Sequence, residues 1–175
     1  MSNRRRCMLL TEIAPLEDWF ELENKIQDRC GLDISVFDVS GKRITGKRGW
    51  VNRICPAIKA TKNGQAHICA VAHNNVVAMA RRSKKPIIEE CDAGLLKAAV
   101  PLFANGEFVG MIAGCGLLPK GEKIDRELIA RTTGIEEREI AELQTDISTI
   151  SEEEIEKTIA LISAELKESF KKLDT

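Results

Sequence analysis

Four cysteines, Cys55, Cys69, Cys91 and Cys115, fall in the middle of a 175-residue chain that holds six. Thiolates are ligands for soft metals and iron–sulfur clusters, and four of them complete a tetrahedral or cluster shell. No two of the four stand as a Cys-x-x-Cys pair. The spacings Cys55-x13-Cys69, Cys69-x21-Cys91 and Cys91-x23-Cys115 match no local metal motif, so only the fold can bring these thiols together. Free cysteine also packs as a small buried hydrophobe, and each of the four carries that plainer reading beside the chemical one.

His67 and His73 are the only histidines. Both lie on the helix expected to carry Cys69. His73 follows Cys69 by four residues and shares its face; His67 is two residues away and faces elsewhere. A three-cysteine site would leave one position for a ligand or for a histidine. Trp50 sits in a basic loop with Lys47, Arg48 and Arg53. Trp19, Phe20, Phe37, Trp50 and Phe103 are candidates to line an apolar pocket or to fill plain core. The chain has no Gly-x-Ser-x-Gly elbow, no His-Glu-x-x-His and no phosphate-binding glycine loop, and no base is paired in sequence with a cysteine. The expectation is therefore that the protein is not an enzyme, with a small thiol enzyme as an alternative.

Elements that must position these residues read as follows. Pro15 opens a helix to Arg29, with Leu16, Trp19, Phe20 and Ile26 near one face, and Gly31 stops it. Residues 32–39 predict a strand, Ser40-Gly41 a turn and 42–45 a return strand. Cys55–Ala60 is a short helix, Thr61–Gly64 a break, and Gln65–Arg82 a longer helix. Pro86–Cys91 and Leu95–Phe103 are strands, the second broken by Pro101. Asn105-Gly106 is a strong hairpin turn into the strand Glu107–Leu117. Helices follow over 122–131 and 135–143. Ser151 and Glu154 form a capping box for a last helix with the stripe Ile155, Ile159, Ile162, Leu166 and Phe170.

This order predicts an α+β, PAS-like fold: an antiparallel sheet with helices packed on one face, plus terminal helices. It divides the chain into a flexible start at 1–14, a sensor domain at 15–145 and a C-terminal amphipathic helix at 146–175. That helix either packs on the sheet or extends as a dimer helix.

Composition narrows the classes. Hydrophobic residues make up 43% and charged residues 30%, with a net charge of −1, so a packed core is expected and a nucleic-acid partner is not. The apolar stretch Cys7–Leu10 is too short for a signal peptide, and Val109–Leu118 is too short for a membrane span. The expectation is a cytoplasmic protein with reduced thiols and no membrane.

The stretch from Gly31 to Leu118 resembles the PocR sensory domain family. The matching residues are 30–45, Cys55, Gly64 to Cys69, Ile88 to Leu95, Ala99-Val100-Pro101-Leu102, Gly106, Gly110 and Gly114-Cys115-Gly116. The resemblance implies a PAS-like signalling domain that binds a small ligand. Cysteines occur in the family at the positions of Cys55, Cys69 and Cys91, whereas Cys115 stands where a polar residue is expected. The reading is a sensor for a small molecule or a cysteine-held metal centre, with Trp50, Cys55, Cys69, Cys91 and Cys115 at the ligand and the four thiols as metal ligands. An iron–sulfur cluster or zinc is the cofactor such thiols would take. An iron–sulfur or thiol redox sensor is the alternative. The expected partners are a signalling protein and a second copy in a homodimer, with Cys7 and Cys30 as bystanders.

Overall fold

The computed structural model describes residues 8–47, 49–171 and 173. Two helices open the described chain, the one-turn α1 (Leu10–Ile13) and the longer α2 (Leu16–Cys30). Trp19, Leu22 and Ile26 of α2 recur at helical spacing and are buried, and Gly31, in the left-handed conformation, ends the helix. Part of the start expected to be flexible is thus built in: Leu10 is buried, and its carbonyl accepts from Trp19 Nε1 at 3.1 Å. The rest of that segment, with Cys7, lies outside the described residues, as does Arg48.

Four strands form an antiparallel sheet in the order β1-β4-β3-β2, from β1 (Asp33–Asp38), β2 (Ile87–Glu90), β3 (Leu96–Ala104) and β4 (Glu107–Cys115). Asn105 and Gly106 join β3 to β4 with φ of 52° and 77°, the double positive φ that a two-residue hairpin of this kind requires. Pro101 does not break β3. β2 ends opposite Ala99, so at Pro101 the strand has only β4 beside it and the missing N–H is tolerated. The return strand expected over 42–45 shrinks to a single bridge, Phe37 to Arg43.

Between β1 and β2 lie α3 (Ile54–Ala60), one turn α4 (Lys62–Gly64), a π-helical segment Gln65–Cys69 and α5 (Ala70–Ser83). Gly64 is required at the break. A Cβ there would strike the carbonyl of Ile58 and lie 2.6 Å from Thr61 Oγ1. After β4, a short β5 (Leu118–Pro119) pairs in parallel with β6 (Thr149–Ile150); α6 (Arg126–Thr133) and α7 (Glu137–Leu143) lie between them. Ser151 and Glu154 form the expected capping box of α8 (Glu152–Ser169).

Helices of the central segment pack on one face of the sheet, and the terminal helices close the other, as the expected PAS-like α+β plan has it. On one face Ile34 and Val36 of β1, Val100 and Leu102 of β3 and Ile112 of β4 pack on α2 and α8. The stripe Ile155, Ile162, Leu166 and Phe170 is buried in this core, and Phe170 stacks on Trp19 with ring centroids 4.1 Å apart. On the other face Val76 and Ala80 of α5 meet Ala99, Met111 and Ala113. A third cluster, built from Ile54, Ile58, Ile68, Leu95, Ile129 and Ile140, holds α3, the π segment, α6 and α7 together. Strand alternation produces the two faces: odd-numbered β1 residues point away from α2 and α8, even-numbered ones toward them.

Candidate functional site: a thiol-lined cavity on the sheet

A cavity of about 330 Å³ lies between the α5 face of the sheet and the α3–α5 segment, at the small end of the range typical of small-molecule sites. Its floor follows from strand register. Cys115 of β4 is paired with Asp33 of β1 on one side and Lys97 of β3 on the other. Two residues along, Ala113 is paired with Ser35 and Ala99. The small Ala113 side chain leaves the space; Phe37 bounds it. Cys55 and Lys59 enter from α3, Gln65 and Cys69 from the π segment, His73 from α5, and Cys91, Leu95 and Leu96 from the β2–β3 connection and the start of β3. Gly41, Arg43 and Trp50 contribute from the chain after β1. The five residues singled out in the sequence, Trp50, Cys55, Cys69, Cys91 and Cys115, all line this one cavity.

Asn52 couples two of the thiol positions. It is buried, donates its side-chain amide to the carbonyl of Gly116 at 2.6 Å and accepts from the backbone N–H of Cys55 at 2.8 Å. Cys55 is thus fixed relative to the strand end that carries Cys115. The π segment sets Cys69 and Gln65; such one-turn bulges recur at functional sites. His73 hydrogen-bonds the Gly41 carbonyl through Nε2 at 2.7 Å and lies against the Phe37 ring, which ties α5 to the turn after β1.

Electrostatics of the cavity are mixed. Burial pushes the Cys55 thiol far above the usual thiol range, and burial also raises Cys69 and Cys91; the neighbouring thiols add to each shift. These thiols are therefore protonated near neutrality. Burial, helped by Lys97, lowers His73. Arg43 lies over Phe37 and Lys59 over Trp50. Asp33 Oδ1 and Ser35 Oγ are buried with no hydrogen-bond partner, their residues 5% and 1% exposed. Lys47 points inward, its Nζ buried and without a hydrogen bond; burial lowers its pKa, and Glu23 and Asp33 oppose that shift.

Four of the free thiols, Cys55, Cys69, Cys91 and Cys115, share the cavity, yet no group of three or more histidine, cysteine, aspartate or glutamate side chains among the described residues is arranged to hold a metal ion. His67 is exposed and absent from the cavity lining. Cys30 packs at the edge of the α2–α8 core, away from the cavity. Of the aromatic candidates, Phe37 and Trp50 line the cavity; Trp19 and Phe103 are core, and Phe20 is exposed. Arg53 turns away and binds Asp146, Thr145 and the Glu142 carbonyl. Sequence reading did not single out Asp33, Ser35, Arg43, Lys59, Gln65 and Lys97 as site residues. The signal for two of them, Asp33 and Ser35, was the strand alternation, which sets them on the face opposite Ile34 and Val36.

An antiparallel sheet with one face closed by terminal helices and a small cavity on the other is the architecture of a PAS-like sensory domain. The family described as the sensory domain found in PocR matches residues 12–167, and the chain belongs to that family. No curated protein and no solved structure matches the chain. No helix among the described residues is long and apolar enough to cross a membrane.

Proposed function

We propose that the chain is a sensor whose small-molecule ligand binds in the cavity above Asp33, Cys115 and Lys97, and whose occupancy is relayed through the terminal helices to a signalling partner. The observation that carries this reading is the two-sided use of β1. Asp33, Ser35 and Phe37 line the cavity, while Ile34 and Val36 pack on the helices. Glu23 of α2 accepts from the Val36 N–H at 2.6 Å and from Thr45 Oγ1 at 2.6 Å, so α2 is bonded to the same strand. Glu165 of α8 then pairs with Lys25 at 2.6 Å and Arg29 at 2.7 Å on α2. A ligand that shifts β1 has a direct mechanical route to both terminal helices. Relay in a homodimer and action in the cytoplasm belong to the same proposal.

A thermal-shift screen of small molecules tests it, with Ala113→Leu as the cavity-filling control. Ligands that raise Tm in the natural chain and not in a folded Ala113→Leu variant support the reading. A screen whose hits stabilise both chains equally counts against it.

A second reading, a cysteine-held zinc or iron–sulfur centre with a redox role, is supported by the four thiols that line the one cavity. Burial opposes it, because ligation requires thiolates and the cavity favours neutral thiols. Iron, zinc and acid-labile sulfide analysis on anaerobically purified protein separates the two. Stoichiometric metal lost in Cys69→Ala favours the centre; metal-free protein that still binds small molecules favours the organic ligand.

A further inference from the structure

The cavity has a charge pattern that a neutral or purely apolar ligand would leave unanswered. Lys97, Lys59 and Arg43 line it, and none is in an ion pair among the described residues. Asp33 is the one acidic residue in the lining. Excess positive charge in a half-enclosed cleft concentrates anions. On the opposite side of Cys115, Asp33 Oδ1 and Ser35 Oγ are buried and unpartnered, and buried polar atoms in native proteins are rarely left so. The acid and the amine are therefore separated by one strand, with a thiol between them and a small alanine beside it.

Resting on the ligand-sensor reading, we propose that the ligand is a short-chain carboxylate carrying a hydrogen-bond donor, a hydroxy or amino acid. Its carboxylate lies toward Lys97 and Lys59, and its hydroxyl or ammonium donates to Asp33 Oδ1 and Ser35 Oγ. Neighbouring strands are ~4.8 Å apart, so the Asp33 and Lys97 backbones stand about 10 Å from each other. With the side chains reaching inward, that span suits a body of roughly three to five carbons. The protonated thiols of Cys55, Cys69 and Cys91 give this body a weakly polar wall. A plain fatty acid would leave Asp33 and Ser35 unmatched; a diol would leave the cations unmatched. Leaving buried polar groups unpaired is the strongest basis for rejecting a near-isostere.

Calorimetric titration with 3-hydroxybutyrate, 3-aminobutyrate, butyrate and butane-1,3-diol tests the assignment on the full chain. The expected result is that the hydroxy or the amino acid binds at least about tenfold more tightly than both butyrate and the diol. Lys97→Met is expected to remove the preference over the diol, and Asp33→Asn the preference over butyrate. Folding of each variant is checked by circular dichroism. A diol that binds as tightly as the acids, or acid binding untouched by Lys97→Met, overturns the inference while leaving the sensor reading intact. No binding of any of the four also overturns it, and the sensor reading then stands or falls on the Ala113→Leu comparison in the thermal-shift screen.

Discussion

Asn52 and Gly116 are 64 residues apart in sequence and 2.6 Å apart at the hydrogen bond that joins them. That bond, with the one from Cys55 N–H to Asn52 Oδ1, holds α3 against the end of β4. Asn52→Ala removes both and leaves the Gly116 carbonyl buried without this donor. The expected loss is about 1–3 kcal/mol, measured by urea unfolding. Iodoacetamide should also reach Cys55 faster in the variant, because α3 is no longer tethered beside Cys115.

Glu23 is fully buried, and burial raises its pKa above the ordinary 4.5 even though Thr45 and the Val36 N–H favour the charged form. The folded chain therefore holds this proton more tightly than the unfolded chain. Where the folded state binds more protons, stability falls as pH rises. From pH 4.5 up through the raised folded value, the natural chain should lose stability relative to Glu23→Gln and then run parallel to it. Urea midpoints across pH 4 to 8 for both proteins check this; a constant difference would show that Glu23 ionises normally.

Glu165 is 5% exposed, whereas its partners Lys25 and Arg29 are 52% and 57% exposed. The two ends of the clamp are thus unequal. Glu165→Gln removes the buried charge and should cost about 2 kcal/mol in charge-assisted hydrogen bonds. Lys25→Met with Arg29→Met keeps the covering stems but leaves a buried carboxyl without its cations, and should lower Tm further than Glu165→Gln. Thermal unfolding of the two variants gives the order.

Burial that raises the thiols of Cys55, Cys69 and Cys91 predicts slow alkylation. At neutral pH each should react more slowly than a small free thiol, and Cys55 most slowly, since a raised pKa lowers the thiolate fraction. Peptide mapping after timed iodoacetamide exposure reads each site. Rapid labelling of one cavity cysteine would instead point to an activated nucleophile and revive the thiol-enzyme alternative.

Much of this architecture was legible in the residues. Asn105-Gly106, the Ser151–Glu154 box and the alternation of β1 are local signals, and each describes the observed element because local geometry decides it. The shared destination of Cys55, Cys69 and Cys91 came from family resemblance, not from spacing, whereas Trp50 and Cys115 were singled out by residue type. Other features were not legible. Pro101 reads as a breaker because sequence does not show where β2 ends. The inward aim of Asp33 and Lys97 depends on which strands flank Cys115, a non-local fact. The π segment leaves no periodic trace, since Ile68 remains buried and Gln65, Ala66 and His67 are exposed, as they would be in an ordinary helix.

That π segment makes the cavity sensitive to chain length in one place. Its hydrogen bonds close one residue later than those of the α-helix that follows it, so it accommodates one extra residue, and each α-helical residue advances by about 100°. Removing a single residue there, such as exposed His67, would let the chain run on as regular α-helix. Every side chain of α5 would then be rotated by about a quarter-turn relative to α3. Cys69 and His73 would leave the cavity together, and Val76 and Ala80 would leave the sheet. The stretch between Gly64 and Ala70 thus works as an indexing notch, so variants that tolerate substitution there should not tolerate a change in its length.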